Sequence, residues 1–198
     1  MNRSVDFFNS QFKRQISGGD FALNPFEQWA LPFMQGRVLD LGCGLGNLSI
    51  EAARRGCSVA ALDASVNAIE RIREVVEAHG LPIEARVADL ANYRIAEDFD
   101  VIVSIGLLMF METSCAHRLL AEIKSHVKPD GLAVINVLIE GTTYLDMFEP
   151  GHFTLFGENE LKDHFAEWNL LESKCDSFEA PGSTVKRFAT VVARTPPR

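Results

Sequence analysis

The stretch of this sequence best suited to hold a ligand is Arg37-Val38-Leu39-Asp40-Leu41-Gly42-Cys43-Gly44-Leu45-Gly46-Asn47. Glycines at alternate positions leave a loop with almost no side-chain bulk, so its backbone can turn tightly and lie against a bound molecule. Asp40 adds a carboxylate at the mouth of the same cleft. A helix read over Leu48 to Arg55 would turn its free N–H groups and its positive dipole end back toward the loop. A dinucleotide site uses the same geometry but expects G-x-G-x-x-G, with a pyrophosphate at the helix N-terminus. Here the spacing is G-x-G-x-G with an acid two residues ahead of it. That arrangement suits a ligand that has an ammonium group to hold and no pyrophosphate to cradle. S-adenosylmethionine (SAM) meets this description, and Asp40, Gly42, Gly44 and Asn47 are the residues expected to meet it first.

Two further acids fall where such a nucleoside would need them. Asp63 closes the apolar run Ser58 to Asp63, close to the spacing of about 20 residues at which an acid binds ribose hydroxyls. With Ala64 beside it, Asp63 is expected to accept from both hydroxyls of an unphosphorylated ribose; the rival reading is a helix cap shared with Ser65. Asp89 follows the run Ile83 to Ala88. Asp89 and Leu90 are expected beside the adenine, a solvent-facing loop acid being the alternative. Ser104, near the tip of Val101 to Gly106, is read either as part of the cleft floor or as a spacer.

These residues need elements to position them. Short apolar runs at 37–41, 58–63, 83–88, 101–106 and 132–139 alternate with helical patterns at 48–55, 65–79 and 113–127. Such alternation predicts an α/β doubly wound parallel sheet, in which strand tips line one crevice. Lys128-Pro129-Asp130-Gly131 is expected to be a turn. A helix over 158–165 comes next, and two alternating runs, 170–178 and 185–193, are expected to pair antiparallel across Ala180-Pro181-Gly182-Ser183. Asn24 and Pro25 begin a helix that Pro32 ends near Leu31.

Residues 1–36 are expected to form a helical lid or cap, and residues 37–194 the ligand-binding domain. Phe8 and Phe12 lie one helical turn apart and can share a face, either packed on the domain or closing the cleft. Residues 141–157 carry Tyr144, Phe148, His152, Phe153 and Phe156 and are expected to cover the acceptor side; a loop of that length usually has a function. His152 is a candidate base, its rival a solvated loop histidine.

The 198 residues carry a net charge of −8, so nucleic acid is not expected as a partner. The four cysteines are widely spaced with no C-x-x-C pair, which points away from a zinc or dithiol site. The apolar runs are too short to span a bilayer, and the expected location is the cytoplasm. The expected partner is a small-molecule acceptor, with the chain a monomer or homodimer and no membrane contact.

Taken together, the Asp40 glycine motif, Asp63 and Asp89 make residues 37–194 resemble a class I SAM-dependent methyltransferase. That resemblance implies a mostly parallel seven-stranded sheet in the order 3-2-1-4-5-7-6, with strand 7 antiparallel. Leu107 to Phe110, Phe156 to Leu161 with Phe165 and Trp168, and Lys186 to Thr190 resemble, more narrowly, the tellurite-resistance methyltransferase family. The family methylates tellurium and selenium oxyanions and other small soft nucleophiles. On this resemblance Arg187 would face the acceptor, because a guanidinium pairs well with an oxyanion; otherwise it is a surface charge on the last strand. The expected activity is methyl transfer from SAM to a small acceptor. A SAM-binding sensor of the same fold is the competing expectation.

Overall fold

The structure, a computed structural model, describes residues 3–197; Met1 and Asn2 of the expected N-terminal unit lie outside the described residues. Seven strands form one sheet: β1 (Arg37–Leu41), β2 (Ser58–Asp63), β3 (Ile83–Val87), β4 (Phe99–Ile105), β5 (Val127–Leu138), β6 (Asn169–Ala180) and β7 (Thr184–Arg194). Their order is β3-β2-β1-β4-β5-β7-β6. The first five pair parallel, while β7 runs antiparallel to both β5 and β6. This is the fold expected from the sequence, down to the strand order.

Among the described residues, six α-helices accompany the sheet: α1 (Arg3–Gly18), α2 (Pro25–Ala30), α3 (Asn47–Arg54), α4 (Val66–His79), α5 (Thr113–His126) and α6 (Glu160–His164). Alternation along β4 sends Val101 and Val103 to one face and Ile102 to the other. Val101 and Val103 pack with Leu48, Ile69 and Ile72 of α3 and α4. Ile102 packs with Leu119, Leu120 and Ile123 of α5. Both faces of the parallel core are thus covered, which is why its strands read as nearly continuous apolar runs.

Local signals account for the helix ends. Asn24 caps α2, its Oδ1 accepting from Phe26 N at 2.9 Å and Glu27 N at 3.0 Å. Glu27 Oε2 accepts from Asn24 N at 2.8 Å, which completes a capping box. Pro32 turns the chain into a 3-10 turn over Leu31–Phe33. Ser65 caps α4, and Gly80 ends it at φ +62°.

One expectation needs correction. Lys128 to Gly131 does not separate a helix from a strand. Val127 already pairs with Phe99 and Leu132 with Val101, so these four residues bulge out of β5. Asp130 takes φ +62° to allow it. A Cβ at Gly131 would lie 2.7 Å from the Asp100 carbonyl oxygen, so the bulge needs glycine there.

At the far side of the sheet, among the described residues, β6 pairs only with β7, with a register shift between Leu170 and Glu172. Among the described residues, no helix is long and apolar enough to cross a membrane.

Candidate cofactor site

At the C-terminal ends of β1, β2 and β4 lies a cavity of about 320 Å³. The glycine loop forms one wall. Gly42, Gly44 and Gly46 all take positive φ, at 73°, 52° and 73°. Two of these glycines have no room for a side chain: a Cβ at Gly42 would lie 3.0 Å from Leu107, and one at Gly46 only 2.5 Å from Ile72. Close packing behind the loop therefore fixes its path, and its open side lines the cavity.

Asp63 holds the loop in place. Its Oδ2 accepts from Gly44 N at 2.9 Å and its Oδ1 from Ser65 N at 2.8 Å. The two readings of Asp63 turn out to be compatible, since it bonds the start of α4 and also lines the cavity beside Ala64. Burial raises its pKa, against the pull of the Ser65, Gly44 and Ala64 N–H groups.

Asp40 sits deeper, at 5% exposure, and Ser49 Oγ of α3 donates to its Oδ2 at 2.6 Å. Its pKa is pushed up to about 7, mainly by burial and further by the nearby Glu27 and Asp63, while the Ser49 hydrogen bond opposes the rise. Cys43 between them is held firmly as the thiol by burial and the same two aspartates. Asp89, Leu90 and Ala91 complete the side beyond β3. The Asp89 carboxylate accepts locally from Ala91 N at 3.1 Å and Asn92 Nδ2 at 2.7 Å, so it is anchored without being closed off from the cavity.

The roof is α1. Phe8, Gln11, Phe12 and Gln15 line the cavity from above. Phe12 is 9% exposed and clusters with Leu45, Ala68 and Phe8. Ser65 Oγ donates to Asn9 Oδ1 at 2.5 Å, joining the roof to the residue that caps α4.

Of the expected site residues, Asp40, Gly42, Gly44, Asn47, Asp63, Ala64, Asp89 and Leu90 all line this one cavity. Two do not. Ser104 is fully buried and lies on the same face of β4 as Ile102, against the α5 side of the core. Strand alternation removes it from the cleft, whose floor is made instead by Ile105, Gly106 and Leu107. Arg187 is also outside the lining. Its guanidinium donates to Glu158 Oε2 at 2.8 Å and to the Glu140 carbonyl at 2.9 Å. It braces the chain between β5 and α6.

The aromatic loop over 141–157 likewise stops short of the cavity. Phe148 packs on Phe110 at 4.9 Å between ring centroids, and Phe110 on Phe8 at 4.9 Å. The loop thus backs a cavity wall through Phe110 without lining it. His152 pairs with Glu112 at 2.7 Å on the surface.

Sequence reasoning missed Gln11, Gln15, Asn24, Glu27 and Met111, all of which line the cavity. The Asn24-x-x-Glu27 spacing was readable as a capping box. Nothing in that spacing says that the box faces a cleft.

A doubly wound sheet in this order, with a glycine-loop cavity over its central strand tips, is the methyltransferase type of Rossmann-like fold. The chain belongs to the TehB family: the family model described as "Tellurite resistance protein TehB" matches residues 29–186. The "Probable S-adenosyl-L-methionine-dependent methyltransferase TehB" of Haemophilus influenzae is 32% identical over 164 residues, covering 80% of this chain and 57% of that protein. The chain therefore spans little more than half the length of this relative. The crystal structure of TehB from Haemophilus influenzae superposes with a TM-score of 0.77 at 26% identity, covering 97% of this chain and 67% of that one. The N-methyltransferase NodS from Bradyrhizobium japonicum, solved with S-adenosyl-L-homocysteine, gives a TM-score of 0.68 at 18% identity, covering 96% and 98%. That likeness shows the fold alone.

Proposed function

We propose that this chain is a SAM-dependent methyltransferase acting on a small-molecule acceptor. The observation that carries the reading is the Asp63–Gly44 hydrogen bond of 2.9 Å at the cavity wall, which sets an acid and a side-chain-free loop side by side. The cavity fits the cofactor in its donor set. Asp63 is suited to accept from ribose hydroxyls. Asp89 and Leu90 flank the place of an adenine. Asp40, Asn47 and the glycine loop surround the place of the methionine half, whose ammonium group suits a buried carboxylate.

When bound, SAM supplies a methyl group on a sulfonium, already an activated leaving group. The chain's task is then to orient and enclose. In-line placement of acceptor and methyl can supply much of the rate, with little need for acid–base groups. Phe8, Phe12 and Phe110 offer aromatic faces to a cation within the cavity. The roof formed by α1 serves as a lid that keeps water from the methyl group, a role of residues 1–36 that rests on this lining.

For the acceptor, the family's description names tellurite resistance, which favours a tellurium oxyanion; a selenium oxyanion or another small soft nucleophile is the wider class that the sequence resemblance implies. The test is formation of S-adenosylhomocysteine from SAM across a panel of tellurite, selenite and small thiols. Turnover with one of these supports the reading, whereas tight SAM binding with no turnover on any of them would favour a sensor.

A further inference from the structure

We infer that Glu27 belongs to the cofactor site, where with Asp40 it flanks the α-ammonium group of the methionine half. The inference rests on the SAM reading above and adds a residue that lies ahead of β1, outside the segment matched by the family model.

The geometry comes from the capping box. Glu27 is in the first turn of α2, and Asn24 N donates to its Oε2 at 2.8 Å. This bond fixes the side chain in one orientation. Asn24 and Glu27 both line the cavity that Asp40 lines, and Asp40 is held from another direction by Ser49 of α3. Helix α2 packs on α3, so two carboxylates from separate elements line one cavity.

Their charges act on each other. Burial raises the Glu27 carboxyl, opposed by the Asn24 N–H. Glu27 in turn is among the groups that raise Asp40, together with Asp63 of β2. Carboxyls that share one cavity disfavour each other's ionisation until a cation comes between them. An ammonium group is such a cation and brings N–H donors for both.

The bland alternative is that Glu27 only caps α2. A capping box accepts glutamate or glutamine at this position, since the cap needs an oxygen and no charge. Glu27→Gln therefore keeps the cap and removes the charge, which separates the two roles.

The experiment is calorimetric titration of wild type and Glu27→Gln with S-adenosylhomocysteine and with 5′-methylthioadenosine, which lacks the amino-acid portion. Loss of a charge-assisted hydrogen bond predicts about tenfold weaker binding of S-adenosylhomocysteine by the variant. Binding of 5′-methylthioadenosine should be unchanged. Equal affinities of the two proteins for S-adenosylhomocysteine would overturn the inference, and so would equal losses for both ligands, which mark a structural role. A wild type that binds neither nucleoside would instead remove the SAM reading itself. If Glu27→Gln does not fold, the wild type is titrated with a cofactor analogue carrying a keto oxygen in place of the α-ammonium. The Glu27 carboxyl is followed by NMR in each complex: a pKa lowered by S-adenosylhomocysteine and not by the keto analogue would support the assignment, and equal values in the two complexes would sink it.

Discussion

Asp63 accepts the backbone N–H of Gly44 at 2.9 Å, which ties the tip of β2 to the middle of the glycine loop on β1. The same carboxylate caps the turn into α4 through Ser65 N at 2.8 Å. Asp63→Ala removes both bonds together with the proposed ribose acceptor. We expect SAM affinity to fall by about a hundredfold or more, the loss of two charge-assisted hydrogen bonds. Calorimetry reads the affinity, and a thermal melt reads the smaller effect on the fold. Undiminished affinity would remove the ribose assignment.

Asp40 gives a pH signature. Its folded-state pKa of about 7 lies above its unfolded value, so the native chain binds the extra proton. Between the two values the folded state holds more protons than the unfolded, and stability must fall as pH rises through that window. The contribution is neutral below the unfolded pKa and fully unfavourable above about pH 7. Asp40→Asn should flatten this part of the stability–pH curve, measured by urea titration between about pH 4 and pH 7.5. A variant curve parallel to the wild type across that window would contradict the assignment. Bound ligand should flatten the wild-type curve as well, because a bound cation favours the ionised carboxyl and draws its pKa back toward the unfolded value.

The roof makes a claim about motion. Phe8, Gln11, Phe12 and Gln15 of α1 line the cavity, and Asn9 joins it to Ser65 at 2.5 Å. Ligand enclosed beneath α1 should slow the opening of that helix. Hydrogen exchange over residues 7–18 is expected to slow by at least about tenfold when S-adenosylhomocysteine is saturating. Equal exchange with and without ligand would argue that α1 is packing alone and no lid.

Arg187 is expected to be silent toward the cofactor. Its guanidinium is committed to Glu158 at 2.8 Å and Glu140 O at 2.9 Å, outside the cavity. Arg187→Met should leave S-adenosylhomocysteine affinity unchanged and cost about 1 kcal/mol of stability or less, as a half-exposed ion pair would. A large fall in affinity, seen by calorimetry, would add Arg187 to the cofactor site, a role distinct from the acceptor-facing one that the resemblance implies.

The sequence carried the strand tips well and the side walls poorly. Asp40, Asp63 and Asp89 each end or follow an apolar run, and in a parallel sheet such ends meet at one edge, so their convergence was legible. Ser104 looked equivalent but sits one position off in a two-residue alternation that a continuously apolar strand does not reveal. Arg187 was read through resemblance, and its partner Glu158 lies in a loop whose path no local pattern encodes. Glu27 shows the opposite limit. Its cap was readable, while the direction of the whole helix depends on how α2 settles against α3, a tertiary matter.

The outer strand β6 has a bearing on how this molecule behaves in a crowd. Twelve residues of backbone run along the rim of the sheet with a neighbour on one side alone. Bare rims of that length invite other chains to add on. Glu172, Lys174, Asp176 and Glu179 punctuate this one with charge, and the kink between Leu170 and Glu172 spoils its straightness. Neutralising those side chains would turn the rim into a template for self-association.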